Sequence, residues 1–90
     1  MKELKLIRKT ISASTIENFS FDVKGYEYLV KNFNDFDIYV AFKSTNDTDE
    51  MIKIPAKCSQ ICVINKSTYS KELYVYATSS GEVEVQCLRY

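Results

Sequence analysis

The residue pattern predicts an all-β protein: a single antiparallel β-sandwich of about eight short strands spanning residues 1–90, jelly-roll-like or immunoglobulin-like in kind. Three observations carry this. Apolar and polar residues alternate with a period of two along most of the chain. The 3.6-residue period of a core-facing helix never persists. Turn-forming residues interrupt the alternation at intervals of roughly 8–12 residues, the spacing of short strands in a sandwich or small barrel.

The first strand is expected from about Glu3 to Ile11, with Leu4 and Leu6 on one face, followed by the small polar link Ser12-Ala13-Ser14-Thr15. From Ile16 to Val23, Phe19, Phe21 and Val23 share a face opposite Asn18, Ser20 and Asp22. Lys24-Gly25 reads as a tight hairpin turn, with glycine supplying a positive φ, and Tyr26 to Phe33 as the returning strand. After Asn34-Asp35, Phe36 to Lys43 is the cleanest alternation, with Phe36, Ile38, Val40 and Phe42 inward. Ser44 to Glu50 is polar and acidic and reads as an exposed, mobile loop.

Met51 to Ile54 is a short strand ended by Pro55, which has no N–H to give a ladder and belongs at an edge or a strand end. Cys58 to Ile64 resumes, and Asn65 to Lys71 is a polar connection. Glu72 to Thr78 alternates Leu73, Val75 and Ala77 with Tyr74, Tyr76 and Thr78. Ser79-Ser80-Gly81 reads as a second tight hairpin turn, and Glu82 to Arg89 places Val83, Val85 and Cys87 opposite Glu82, Glu84 and Gln86.

Composition removes several function classes. The 12 basic and 12 acidic residues balance, and the basic ones are scattered, so no phosphate-binding stripe forms and no direct nucleic-acid partner is expected. The basic start, Lys2 to Lys9, reads as the solvated face of the first strand. No apolar run is long enough to span a membrane, and charges stand where a signal peptide needs its apolar core, so neither membrane nor secretion is expected. There is no histidine, the commonest general base and zinc ligand, and there are only two glycines, too few for a phosphate-cradling loop. No catalytic, cofactor or metal site is therefore expected.

Cys58, Cys62 and Cys87 are expected as buried core thiols, an odd number that suits a reducing compartment. Asn46, Asp47, Asp49 and Glu50 carry oxygen ligands suited to calcium, but the loop has no EF-hand glycine or closing bidentate glutamate and reads as solvated. Tyr39, Tyr74 and Tyr76 are different, because they fall on the outer face of their strands, where a lone monomer usually keeps charge. If their strands are neighbours, they form an aromatic patch. Three readings stay open there: a protein interface, cross-strand pairs that only steady the sheet, or a stacking surface for sugars or bases.

Three segments carry a resemblance: Leu29 to Val40 (LVKNFNDFDIYV), Ile52 to Ala56 (IKIPA) and Leu73 to Gln86 (LYVYATSSGEVEVQ). In this order they resemble small β-sandwich virion proteins of tailed bacteriophages, over about two-thirds of the chain. In those proteins an asparagine-led Ile-Tyr-Val strand, an Ile-Pro-Ala strand end and a closing Ile-Tyr-Val … Gly-x-Val-x-Val hairpin recur. Lys57 stands where they commonly carry glycine.

The resemblance implies a non-enzymatic virion structural protein, a capsid decoration or accessory subunit set down in repeated copies. Its partners would be itself, as a homo-oligomer, and other virion proteins such as the major capsid protein; its location would be the virion, and the host cytoplasm during assembly. The alternative is a carbohydrate-binding or adaptor sandwich that uses the same tyrosines.

Overall fold

The structure is a computed structural model that describes residues 4–64 and 69–90. Among them are eight strands: β1 (Lys5–Ile11), β2 (Glu17–Gly25), β3 (Glu27–Asn32), β4 (Ile38–Ala41), β5 (Ile52–Ile54), β6 (Ser59–Val63), β7 (Ser70–Tyr76) and β8 (Gly81–Arg89). The expected first-strand start at Glu3, and the Asn65 to Thr68 part of the expected polar connection, lie outside the described residues.

The strands form two four-stranded antiparallel sheets, ordered β1-β8-β3-β6 and β2-β7-β4-β5. Strands β1 and β8, β2 and β7, β3 and β6, and β4 and β5 are paired, so the chain is one long hairpin with its tip between β4 and β5. The lateral pairs β3·β8 and β4·β7 roll that hairpin into a sandwich. This is the jelly-roll order, which selects between the two sandwich types that alternation alone left open.

Only the β4 to β5 connection stays within one sheet. The expected hairpins at Lys24-Gly25 and at Ser79-Ser80-Gly81 are therefore both crossovers between sheets. Neither glycine has a positive φ. Both are needed for space instead. A Cβ on Gly25 would lie 2.4 Å from Cys87 Sγ and 2.8 Å from Tyr28 Oη, and one on Gly81 would lie 2.0 Å from Asn34 Oδ1.

Alternation sorts the residues as the 2.0 period requires. Ile11, Phe19, Val30, Ile38, Val40, Ile54, Leu73, Val75, Ala77, Val83 and Val85 are fully buried between the sheets. Each large aliphatic side chain withdrawn from water in this way stabilises the fold by about 1.5–3 kcal/mol. Phe19 and Phe21 are buried, whereas Phe36 and Phe42 only pack against the core's margin, because the strand expected from Phe36 to Lys43 is regular only over Ile38–Ala41. Asp37 turns aside to accept the Ala56 N–H at 3.1 Å, which takes the segment before Ile38 out of the ladder.

Two further expectations are corrected. Cys62 and Cys87 are buried, but Cys58 is exposed, since it precedes β6 at the sandwich margin. The basic start is not simply a solvated face. Lys5 and Lys9 share the inward side of β1 with Ile7 and Ile11, opposite the core residues Cys87 and Val83. From there Lys5 reaches Asp22 on β2 at 3.1 Å, and Lys9 bonds the Asn18 carbonyl with its ammonium 4.5 Å above the Phe19 ring. The two lysines thus close the open flank between the sheets, their stems on apolar surface and their charges at the rim.

Polar groups close the ends. Tyr28, fully buried on β3, donates its hydroxyl to the Ser70 carbonyl of β7 and accepts the Gly25 N–H at 3.2 Å. Four residues along the same face, buried Asn32 donates its amide to the carbonyls of Phe36, Ile54 and Pro55 at 2.8, 3.2 and 3.1 Å. Its carbonyl accepts from the Asn34 N–H and side-chain amide, both at 3.0 Å, while Asn34 exchanges bonds with the Glu82 backbone at 2.9 and 3.1 Å. The asparagine-led strand, the Ile-Pro-Ala end and the closing strand are thereby tied together.

Asn32→Leu keeps the volume but takes the amide donor from three carbonyls, of which that of Pro55 keeps another partner, the Cys58 N–H at 3.1 Å, so it lowers unfolding stability by about 2–3 kcal/mol. In a thermal melt that is a drop of roughly 10–20 °C for a domain of this size. A loss below about 0.5 kcal/mol would show that the seam is held by something other than this amide.

Candidate protein interface

The roll brings the three outward tyrosines together. β4 and β7 are neighbours, and Tyr39 stands directly opposite Tyr76, with Lys53 of β5 on the other side of Tyr39. Tyr74 lies two residues from Tyr76 on the same face, between Ala41 and Asn18. All three are half-buried. The Tyr74 hydroxyl donates to Glu72 at 2.9 Å, and this bond, with some burial, raises its pKa above the ordinary tyrosine value. The outer face of the β2-β7-β4-β5 sheet is an amphipathic aromatic surface: ring area with hydroxyls at its margin.

The opposite outer face carries a feature that alternation along single strands did not single out. In the β1-β8-β3-β6 sheet, Leu6 faces Gln86, Gln86 faces Leu29, and Leu29 faces Ile61, one nearly apolar row across all four strands. Ile61 and Val63 on this face are 51% and 61% exposed, and Leu4 and Leu88, beside it in sequence, are exposed as well. Scattered exposed apolar residues are ordinary, whereas contiguous apolar patches are more typical of interaction surfaces. The signal was present in the sequence as Leu6, Leu29, Ile61 and Val63, yet only strand order places them side by side.

The adjoining row holds charge: Arg8, Glu84, Lys31 and Ser59. Glu84 is on the outer face yet only 2% exposed, because its neighbours fold over it. Gln86 donates to one carboxylate oxygen at 2.7 Å, and Lys31 lies 3.3 Å from that oxygen. Arg8 donates twice to the other oxygen, at 2.9 and 2.6 Å. The Gln86 amide first, then the Arg8 guanidinium and Lys31, hold the Glu84 carboxyl down at about 2 against the opposing effect of burial.

The remaining polar features are structural. In the Ser44–Glu50 loop, Thr48–Glu50 makes one 3-10 turn capped by the Asp47 side chain, and Glu50 pairs with Lys43 at 3.2 Å. Burial pushes the Cys62 thiol up to about 11, away from the reactive thiolate. Among the described residues, no three histidine, cysteine, aspartate or glutamate side chains are grouped to hold a metal ion.

Because Glu84 ionises more readily folded than unfolded, its contribution to stability is complete above the ordinary carboxyl value of 4.5 and is lost as pH falls towards about 2. Glu84→Gln is therefore expected to lower stability by about 1–3 kcal/mol at neutral pH and to flatten the decline between about pH 5 and pH 2. Urea midpoints across that range measure both effects, and parallel curves for the two proteins would contradict the assignment. Compared with known proteins, the chain matches no family model, no curated protein and no solved structure.

Proposed function

We propose that the chain is a non-enzymatic structural subunit of a tailed-phage virion, a capsid decoration or accessory component laid down in repeated copies. It acts by burying its outer sheet faces against itself and against neighbouring virion proteins such as the major capsid protein. The observation that carries this reading is the apolar row Leu6, Leu29 and Ile61, with exposed Leu4 and Val63, on a domain too small to spare such surface.

The tyrosine face supports the same reading from the other side of the sandwich. Tyrosine is enriched at protein interfaces, where its ring fills a pocket and its hydroxyl meets the polar rim. A jelly roll occurs in viral capsid proteins and equally in lectins and cupins, so the fold is compatible with the reading without carrying it.

Light scattering coupled to size exclusion, together with co-sedimentation with virions, tests this. The expected result is association with itself and with particles. Tyr39→Ala/Tyr76→Ala should cost at most about 1–2 kcal/mol in stability yet weaken particle binding tenfold or more. A chain that stays monomeric and leaves particles untouched would overturn the proposal.

A further inference from the structure

We propose that β6 is a self-pairing edge: two copies of the chain join antiparallel, β6 to β6, about a two-fold axis at Ile61, fusing two β1-β8-β3-β6 sheets into one continuous sheet. This deepens the reading of a self-assembling subunit, and rests on it, by naming the surface through which copies meet.

A sandwich of two open sheets has four edge strands, here β1, β6, β2 and β5. Each presents unpaired backbone groups that another strand can take, and proteins that must stay apart blunt such edges. Three of the four are blunted here. On β1, Lys5 and Lys9 point inward between the sheets. On β2, the register breaks between Ser20 and Gly25. β5 is three residues long and is followed by Pro55. The fourth edge, Ser59-Gln60-Ile61-Cys62-Val63, has no charge, no proline and no register break against β3, and four of its five residues are exposed.

The ladder fixes which of its backbone groups face outward. Ile64 donates to the Tyr26 carbonyl and Asn32 to the Cys58 carbonyl, at 2.9 Å each, so the even-numbered residues of this strand bond to β3. In an antiparallel pair these alternate with residues whose N–H and C=O point the other way. Ser59, Ile61 and Val63 therefore aim both groups at the open edge, and nothing among the described residues takes them.

The occupant that fits is a second copy. With the axis at Ile61, Ile61 pairs with its own counterpart and Ser59 with the other copy's Val63, three hydrogen-bonded pairs exchanging about six bonds. An uncharged strand meets its own copy with no like-charge repulsion. On the outer face, the row Leu6, Gln86, Leu29, Ile61 runs on into the same row reversed, so the apolar surface of both copies becomes continuous.

Proline at position 61 removes an outward N–H and spares the bonds to β3, a position where an edge strand tolerates it. Wild type should show concentration-dependent dimerisation by light scattering. Ile61→Pro, with its fold checked by circular dichroism, should weaken it by roughly tenfold or more.

Register is read in a Cys58→Ser background. Ser59→Cys mixed with Val63→Cys should form a disulfide-linked dimer, since paired Cα atoms lie about 5.5 Å apart. Ser59→Cys alone should not, because its counterparts are about 14 Å apart.

If Ile61→Pro associates as wild type does, or position 59 links to itself as well, the edge proposal falls while self-assembly stands. A monomeric wild type that loses particle binding on Ile61→Pro would assign the edge to a strand of another virion protein instead. A monomeric wild type that also ignores particles would remove both readings.

Discussion

The structure depends on the way β3 grips the opposite sheet at both ends of its inner face. Tyr28, Val30 and Asn32 point inward in succession, a polar clasp, an apolar contact and a second polar clasp. Tyr28 bonds to Ser70 and Gly25 on the far sheet's side, and Asn32 bonds to Phe36, Ile54 and Pro55. Nearly every connection in a jelly roll crosses between the sheets, so backbone groups at the sandwich ends leave the ladders and must find partners there. An unpaired carbonyl in that position costs about 1–3 kcal/mol, a sizeable part of what holds a domain of this length together.

That arrangement explains the two glycines better than turn geometry does. Gly25 leaves room for the Tyr28 hydroxyl and Cys87, and Gly81 leaves room for the Asn34 side chain that ties β8 to the same seam. Of the two left-handed non-glycine residues among the described ones, Ser14 and Lys57, the one bonded to this seam is Lys57, with φ 62°. Its backbone strain is offset locally: its N–H donates to Asn34 at 3.0 Å and its ammonium to the Phe33 carbonyl at 2.8 Å.

The two outer faces differ in how they meet water. On the β2-β7-β4-β5 sheet, tyrosines offer ring surface with a hydroxyl to keep it hydrated, which a surface exposed part of the time tolerates well. On the β1-β8-β3-β6 sheet, aliphatic side chains offer no such compromise, and the charge there is drawn inward onto Glu84 by Arg8, Lys31 and Gln86. The Glu84 carboxylate is already withdrawn from water and held by two cations, so covering the adjoining apolar row adds little to its own desolvation.

Period-two alternation was enough to read an all-β chain, about eight strands, most of the core, and the outward direction of Tyr39, Tyr74 and Tyr76, since each depends only on a residue and its near neighbours along a strand. Which strand lies beside which is a non-local property. It turned an expected hairpin at Gly25 into a crossover, sent Lys5 and Lys9 inward at an edge and left Cys58 outside. The same strand order set Tyr39 against Tyr76, gathered Leu6, Leu29 and Ile61 into one row from distant parts of the chain, and buried Glu84 beneath side chains from β1 and β3. Alternation determines which way a side chain points; only the pairing of strands determines what it meets there.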